Sequence, residues 1–279
     1  MIIVLKEANF AQKNIGKVQL AAKLHPFTEA AIKACGNSMM NNKQKFALND
    51  LFVAMGVDGS NDVMSKMRKV YLPIIAGDVS KALVNYADSN SIDKVPASNV
   101  ILRNNGLVAT SQVESMSVTV KSPLKADNFF ALMLRTEKMV NGVADTSDSL
   151  VLRGVKNNSL FLGIRYMSVS GNSGINLGNY GANWDGYFDK TKDVIKTTAV
   201  VNRSSSHDLC VEGTWTNGSG ISTTSDMSDE AEQQLYLFGI NGVNKTCAHG
   251  IAMLGEAITT DQAKAICNAC DKLYAAFSS

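Results

Sequence analysis

Two hydrophobic patterns divide the chain. From residue 26 to about residue 88, apolar residues recur at helical spacing, so that they share one face of each predicted helix. From about residue 99, they alternate with polar residues or form short apolar runs bounded by Gly, Asn and Ser, as in β-strands. The sequence therefore predicts a small helical region followed by a β-rich region.

The first predicted helix covers residues 26–36. Pro26 suits its first turn and Gly36 suits its C-terminal end. The apolar face of this helix consists of Phe27, Ala30, Ala31 and Ala34. Three further helical segments are predicted, namely residues 46–57 with a cap at Asn49 and Asp50, a segment from Asp62 towards Pro73, and a segment from Asp78 to Tyr86.

Apolar alternation and apolar runs predict strands in the second part of the chain. The predicted strands are residues 115–121, 128–135, 149–153, 159–166, 198–203, 208–215, 235–242 and 249–256. A helix is expected from Ile258 to about Ala276, after the small turn that contains Thr259 and Asp261.

The polar, turn-rich residues 88–98 suggest a linker, and we expect two parts on either side of it. Residues 1–98 would form an N-terminal arm and a helical assembly region, and residues 99–279 a β-sandwich domain. Residues 1–20 have no clear helical period, so we interpret them as an arm that a partner orders. Within this arm, we expect Phe10, Ile15 and Val18 to make the assembly contacts.

The charge balance narrows the range of partners. The chain has 279 residues and a formal net charge of +2, which argues against nucleic-acid binding. No apolar span approaches the roughly 20 residues that cross a membrane, so no membrane insertion is expected. Met1–Leu5 is apolar, but Lys6 follows at once and no basic segment precedes it; we interpret it as a strand or packing arm, not a signal peptide.

Four motifs in the second part resemble those of the concanavalin A/laminin-G-like jelly roll. In chain order they are Phe129–Leu134, Leu160–Arg165, Arg203–Gly213 with its Leu-Cys-Val-Glu-Gly ending, and Gly250–Lys264. Cys210 and Glu212 depart from the family pattern, which has tyrosine and aspartate at the corresponding places. The resemblance implies a jelly-roll sandwich, and domains of this family mostly bind glycans or hold assemblies together without being enzymes.

Three segments are also similar to virion proteins of tailed phages, notably phages of Bacteroides-like hosts. They are the opening residues Ala8–Val18, the apolar element Lys69–Asp78, and the closing residues Asp271–Phe277. This second resemblance implies a fibre, decoration or adhesion role, located in the virion, with other virion proteins as partners and a homo-oligomeric state.

The residues with reactive side chains do not combine into a known centre. Cys267 and Cys270 form a Cys-x-x-Cys pair, which is compatible with redox chemistry or half a zinc site, but their place inside a helix favours packing. The histidines His25, His207 and His249 lie far apart, and no Gly-x-Ser-x-Gly motif nominates a nucleophile. We therefore expect no catalytic residue, no metal and no cofactor.

The best candidate for ligand binding is the aromatic segment around residue 184. Aromatic faces next to Asn and Asp side chains match the apolar faces and hydroxyls of sugars. The candidate carbohydrate-binding residues are Tyr180, Asn183, Trp184, Asp185 and Tyr187. The alternative is that Trp184 and Tyr187 fold a long loop onto the core.

The sequence as a whole predicts a non-enzymatic structural or adhesion component of a phage virion, able to bind surface glycans. A stand-alone carbohydrate-binding module is the first alternative. A glycan-cleaving enzyme is the second, and it would need two facing carboxylates. The nearest acids with suitable spacing are Asp185 and Asp189, whose context suits a loop better than a strand.

Overall fold

The computed structural model describes most of the chain from Lys23 to the C-terminus. The described residues are 23–96, 98–109, 116–125, 127–137, 148–154, 161–169, 172–177, 185–188, 197–204, 206–211, 213–219, 233–237 and 248–279.

The described helices are α1 (Pro26–Cys35), α2 (Asn42–Ala54), α3 (Val63–Lys66) and α4 (Thr260–Phe277), with 3₁₀ turns at Pro73–Ile75 and Val79–Lys81. The strands up to residue 120 are β1 (Met67–Tyr71), β2 (Val84–Asn85), β3 (Ser91–Ile92), β4 (Val100–Arg103), β5 (Gly106–Ala109) and β6 (Met116–Val120). The later strands are β7 (Asn128–Arg135), β8 (Asp148–Gly154), β9 (Phe161–Val169), β10 (Asn172–Leu177), β11 (Asp185–Phe188), β12 (Thr197–Arg203), β13 (Ser206–Val211), β14 (Thr214–Ser219), β15 (Gln233–Leu237) and β16 (His249–Gly255).

The described strands form two antiparallel sheets. The large sheet has the order β14-β13-β12-β7-β16-β1-β2-β3, and the β4–β5 hairpin joins it at the start of β16, where His249 pairs with Leu107. The small sheet has the order β11-β10-β9-β8-β15-β6. Since β1 pairs with β16, the large sheet contains strands from both sides of the linker expected at residues 88–98.

Strand β7 shows how the large sheet is covered on both faces. Side chains alternate across a strand. Phe129, Ala131 and Met133 therefore belong to the core between the two sheets, whereas Phe130 and the following even-numbered residues belong to the core beneath the helices. The molecule thus has three layers, with the large sheet in the middle, and the expected mainly β fold, a sandwich preceded by a small helical region, is confirmed.

The two terminal helical segments agree closely with the sequence. Helix α1 begins at Pro26, and Gly36 ends it in the left-handed conformation with φ of 69°. Helix α4 begins with a capping box, in which the side chains of Thr259 and Gln262 each accept from the other residue's backbone N–H. The predicted apolar face of α1 is partly wrong, because Ala30 is exposed. The buried residues of this helix are Thr28, Ala31 and Cys35.

The predicted cap of the second helix is wrong. Helix α2 begins four residues earlier than expected, and its capping box is formed by Asn41 and Gln44. Asn49 lies inside the helix, and its side-chain oxygen accepts from the backbone N–H of His25 at 2.8 Å and from the hydroxyl of Thr28 at 3.0 Å. It therefore stabilises the start of α1 instead of α2.

Three further segments differ from their predicted form. The segment from Asp62 to Pro73 is helical only over Val63–Lys66 and then becomes β1. The segment from Asp78 is a 3₁₀ turn followed by β2, with Asp78 as the predicted cap. The predicted single strand at 208–215 is a hairpin of β13 and β14, and Gly213 in the turn between them has φ of 77°.

Candidate functional site

A polar groove runs between the edges of the two sheets. It is lined on one side by β1 and β2 of the large sheet, and on the other by β6 of the small sheet with the residues that follow it. Its volume is about 520 Å³, within the range of about 300–1,000 Å³ that is usual for small-ligand sites. The charged residues along it are Arg68, Lys69, Asp88, Asp93 and Lys121.

A buried charge pair forms the floor of this groove. The Lys69 ammonium donates to Oδ2 of Asp93 at 2.6 Å, and the Tyr71 hydroxyl donates to the same oxygen at 2.5 Å. The side chains of Lys69 and Asp93 are only 10% and 16% exposed. Burial raises the pKa of Tyr71 far above its ordinary value, and the adjacent carboxylate raises it further, so the phenol remains a donor.

Two cations connect the large sheet to β6 and to the segment that follows it. The Lys94 ammonium donates to the backbone carbonyl of Ser117 at 3.3 Å, and Nε of Arg68 donates to that of Ser122 at 3.4 Å. Arg68 also forms an ion pair with Glu256. These contacts hold β6, which lies at one edge of the small sheet as described, against the large sheet.

The carbohydrate-binding residues predicted from the sequence are only partly described. Tyr180, Asn183 and Trp184 lie outside the described residues, whereas Asp185 and Tyr187 belong to β11. The expectation that Asp185 lies in a loop is wrong, because it pairs with Leu177 in the antiparallel β10–β11 ladder. Tyr187 is two positions further along the same strand, opposite Ile175. Whether this segment binds sugars stays a prediction.

Other predicted contact residues also lie outside the described part of the chain. The arm residues Phe10, Ile15 and Val18 precede Lys23, where the description begins. Asp189, the second acid of the glycosidase alternative, follows directly after the end of β11 and is likewise outside. The roles assigned to these residues stay predictions.

The Cys-x-x-Cys pair packs in the core beneath the helices. Cys267 and Cys270 are buried in the middle of α4, next to Cys210 of β13. A hydrogen bond with Cys210 raises the pKa of Cys267, and burial raises it further; burial also raises the pKa of Cys270. Since the thiolate is the reactive form, both thiols are suited to packing and not to redox chemistry.

The three histidines belong to different elements of the fold. His25 caps α1, where its Nδ1 accepts from the backbone N–H of Phe27 at 3.2 Å. His207 is buried in β13, and its ring lies against Gly218, where a Cβ atom would approach it to 2.3 Å. His249 begins β16. They do not come together in one site.

The described residues contain neither a metal site nor a membrane-spanning helix. Among these residues, no group of three or more His, Cys, Asp and Glu side chains is arranged to hold a metal ion. The helices in the same part of the chain are too short or too polar to span a bilayer.

The groove could not be identified from the sequence. Its charged lining comes from three separate segments, around residues 68, 90 and 120, that no local pattern connects. Of the strands that line the groove, the sequence predicts only β6, from the alternation at residues 115–121. The Lys69–Asp93 pair depends on β1, which the sequence predicts to be helical, so the site and the fold had to be known together.

Several solved structures are similar to this chain at low sequence identity. No protein-family model and no curated protein matches the sequence. The receptor-binding domain of botulinum neurotoxin D aligns with a TM-score of 0.50 at 11% identity, over 74% of this chain and 53% of that one. The ligand-binding domain of botulinum neurotoxin serotype D, solved with N-acetylneuraminic acid, gives 0.49 at 12% identity, over 74% and 51%.

A third similar structure is domain 4 of AbnA, a GH43 extracellular arabinanase from Geobacillus stearothermophilus, solved with arabinotriose. It aligns with a TM-score of 0.44 at 12% identity, over 72% of this chain and 98% of that one. The chain spans about half the length of the two neurotoxin domains. At this identity the likeness to the receptor-binding domain shows the fold, a β-sandwich, while the resemblance to phage virion proteins stays a prediction.

Proposed function

We propose that this chain is a non-enzymatic recognition component of a tailed-phage virion, which attaches through its N-terminal residues and binds surface glycans with its β-sandwich. The observation that carries the binding role is the polar groove at the sandwich edge. Its donors and acceptors suit hydroxyl groups, which both donate and accept hydrogen bonds. A binding domain with the same fold, in botulinum neurotoxin D, recognises a receptor.

The carboxylates of the groove support binding over glycan cleavage. Of the two that line it, Asp93 is held by Lys69 and Tyr71. Asp88 is exposed, and no described cation pairs with it. A glycosidase requires two carboxyl groups, one acting as acid and the other as base or nucleophile on the same bond. A carboxylate already neutralised by a lysine is poorly suited to either task.

The aromatic segment provides a second proposed contact for glycans. Tyr180, Asn183, Trp184, Asp185 and Tyr187 combine aromatic faces with polar side chains. Replacing Trp184 with alanine is expected to weaken binding to any glycan that the wild-type chain retains on a printed array. Trp215→Ala is the matched control, because Trp215 lies in β14 and packs partly against the core beneath the helices.

The attachment role is tested by light scattering of two forms of the protein. The full chain is expected to be an oligomer, and a chain beginning at Lys23 a monomer. Replacing Phe10, Ile15 and Val18 with serine should have the same effect as the truncation. Serine at Gln12, Asn14 and Lys17 is the control in the same segment. A monomer in both forms would contradict an assembly arm and favour a stand-alone glycan-binding module.

The virion location has its own test. Antibodies against the chain are expected to label intact particles of the phage that encodes it, seen by electron microscopy. Particles that remain unlabelled, although the purified chain reacts with the same antibodies, would contradict the proposed location.

A further inference from the structure

The inner charges of the groove are already compensated within the protein. Lys69 is paired with Asp93 on the floor, and Arg68, which also lines the groove, is paired with Glu256. A ligand that entered the groove would therefore meet no strong excess of either charge from these residues. This arrangement differs from anion sites, where several cations converge on one ligand group.

The rim of the groove has one residue of each sign available. Lys121 and Asp88 are exposed, and within the described part of the chain neither has an ionic partner. Thr119 also lines the groove, and its hydroxyl oxygen accepts from the Gln234 amide at 3.1 Å, which leaves its proton to donate. The rim thus offers an ammonium donor, a carboxylate acceptor and a hydroxyl.

The free edge of β6 is not suited to an added peptide strand. An edge strand pairs with another chain through a row of open N–H and C=O groups. Here, Lys94 holds the carbonyl of Ser117, and Arg68 holds that of Ser122. Between the two contacts, too few backbone groups remain for a strand of usual length, about five to six residues. A small polar ligand fits this edge better than a peptide.

We infer that the groove between β1, β2 and β6 binds a neutral oligosaccharide, whose hydroxyls contact Lys121, Asp88 and Thr119. This inference rests on the proposed glycan-binding function. It assigns glycan binding to the groove as a second site, in addition to the aromatic segment. A sialylated or uronic acid glycan is disfavoured, because Asp88 on the rim offsets the charge of Lys121, and Lys69 on the floor is already paired with Asp93.

The test compares two double variants of the full chain on neutral and acidic glycans. The probes are neutral trisaccharides of glucose, mannose and arabinose, with sialyllactose as the acidic probe, titrated calorimetrically. In the groove variant, Lys121→Ala is combined with Asp88→Asn. In the matched control, Lys264→Ala is combined with Asp50→Asn, both at exposed positions of the helical layer. All four positions are exposed, so both variants are expected to fold.

The wild-type chain is expected to bind at least one neutral trisaccharide, and the groove variant to bind it at least about tenfold more weakly, while the control binds as the wild type does. An unchanged affinity of the groove variant, with binding lost in Trp184→Ala, would overturn the groove and leave the proposed function standing. A preference for sialyllactose would overturn the neutral class. If the wild type bound no glycan at all, the groove assignment and the glycan-binding function would both fail.

Discussion

Gln233 and Leu124 form a reciprocal hydrogen-bonded pair inside the sandwich. The side-chain oxygen of Gln233 accepts from the backbone N–H of Leu124, and its side-chain nitrogen donates to the Leu124 carbonyl, each at 2.8 Å. Gln233 is fully buried in β15. Its side chain therefore satisfies the backbone N–H and C=O of Leu124, as the backbone of a paired strand would. The pair ties the turn between β6 and β7 to the small sheet.

Replacing Gln233 with methionine should destabilise the fold strongly. Methionine has a similar length but pairs with neither group, so two buried backbone groups of Leu124 lose their partner. Each such loss costs about 1–3 kcal/mol, and we expect the free energy of unfolding to fall by about 2–6 kcal/mol in urea denaturation. Gln234→Met is the control, since Gln234 is only half-buried; an equal loss in both variants would contradict a special role for the buried pair.

A second prediction concerns Asp208, which joins β13 to the start of α4. Its carboxylate accepts from Arg203 at 2.7 Å and from the Thr260 hydroxyl at 2.5 Å. Burial by itself would raise the pKa of Asp208, but the hydrogen bonds from Thr260 and Arg203 outweigh it and lower the pKa below its ordinary value of 3.8. Its stabilising contribution is therefore present above that value and is lost as the pH falls through the lower, folded-state pKa.

Asp208→Asn should lower the free energy of unfolding near neutral pH. It should also make that free energy fall less steeply as the pH is lowered. The neutral amide still fills the site, but the charge-assisted bonds are gone, which costs about 2 kcal/mol. Urea denaturation at a series of acidic pH values measures both effects. Asp50→Asn, at an exposed position of α2, is the matched control for replacing a carboxylate with an amide. An Asp208→Asn profile parallel to that of the wild type would show that this carboxyl does not contribute to acid unfolding.

The strands that the sequence predicts best are those buried on both faces. In β7 and β16, nearly every residue is apolar because one face meets the small sheet and the other meets the helices. Such a run leaves little ambiguity when its flanks are polar. Helix α4 could be predicted for a different reason, since Thr259 and Gln262 give a capping signal directly before an apolar helical period.

Strand β1 could not be predicted locally. Met67, Val70 and Tyr71 are compatible with a helical face, and only pairing with β16, far along the chain, makes them a strand. The β4–β5 hairpin was missed although a signal existed, because two consecutive Asn residues followed by Gly106 favour a tight turn. The groove could not be predicted without β1, since its walls are formed by β1 and β6 only after the sheets have assembled.

The described thiols should be inert in the native protein. Cys35, Cys210, Cys267 and Cys270 are all buried. In a Cys247→Ser background, which removes the cysteine outside the described residues, we expect iodoacetamide to modify none of them until urea is added, as measured by mass spectrometry. Ser60→Cys, at an exposed site, is the positive control. Rapid labelling of Cys267 or Cys270 without urea would contradict the packing role and reopen the redox interpretation.

The last prediction separates two roles of Asn105. It has φ of 61° in the β4–β5 turn, and its side chain donates to the Phe277 carbonyl at the end of α4, at 3.1 Å. Asn105→Gly should cost about 0.5–1.5 kcal/mol in urea denaturation, since it loses only that bond. Asn105→Ala should cost about 1–2 kcal/mol more, because alanine disfavours the left-handed conformation. Equal losses in the two variants would show that the contact with α4, and not the turn geometry, determines the choice of asparagine here.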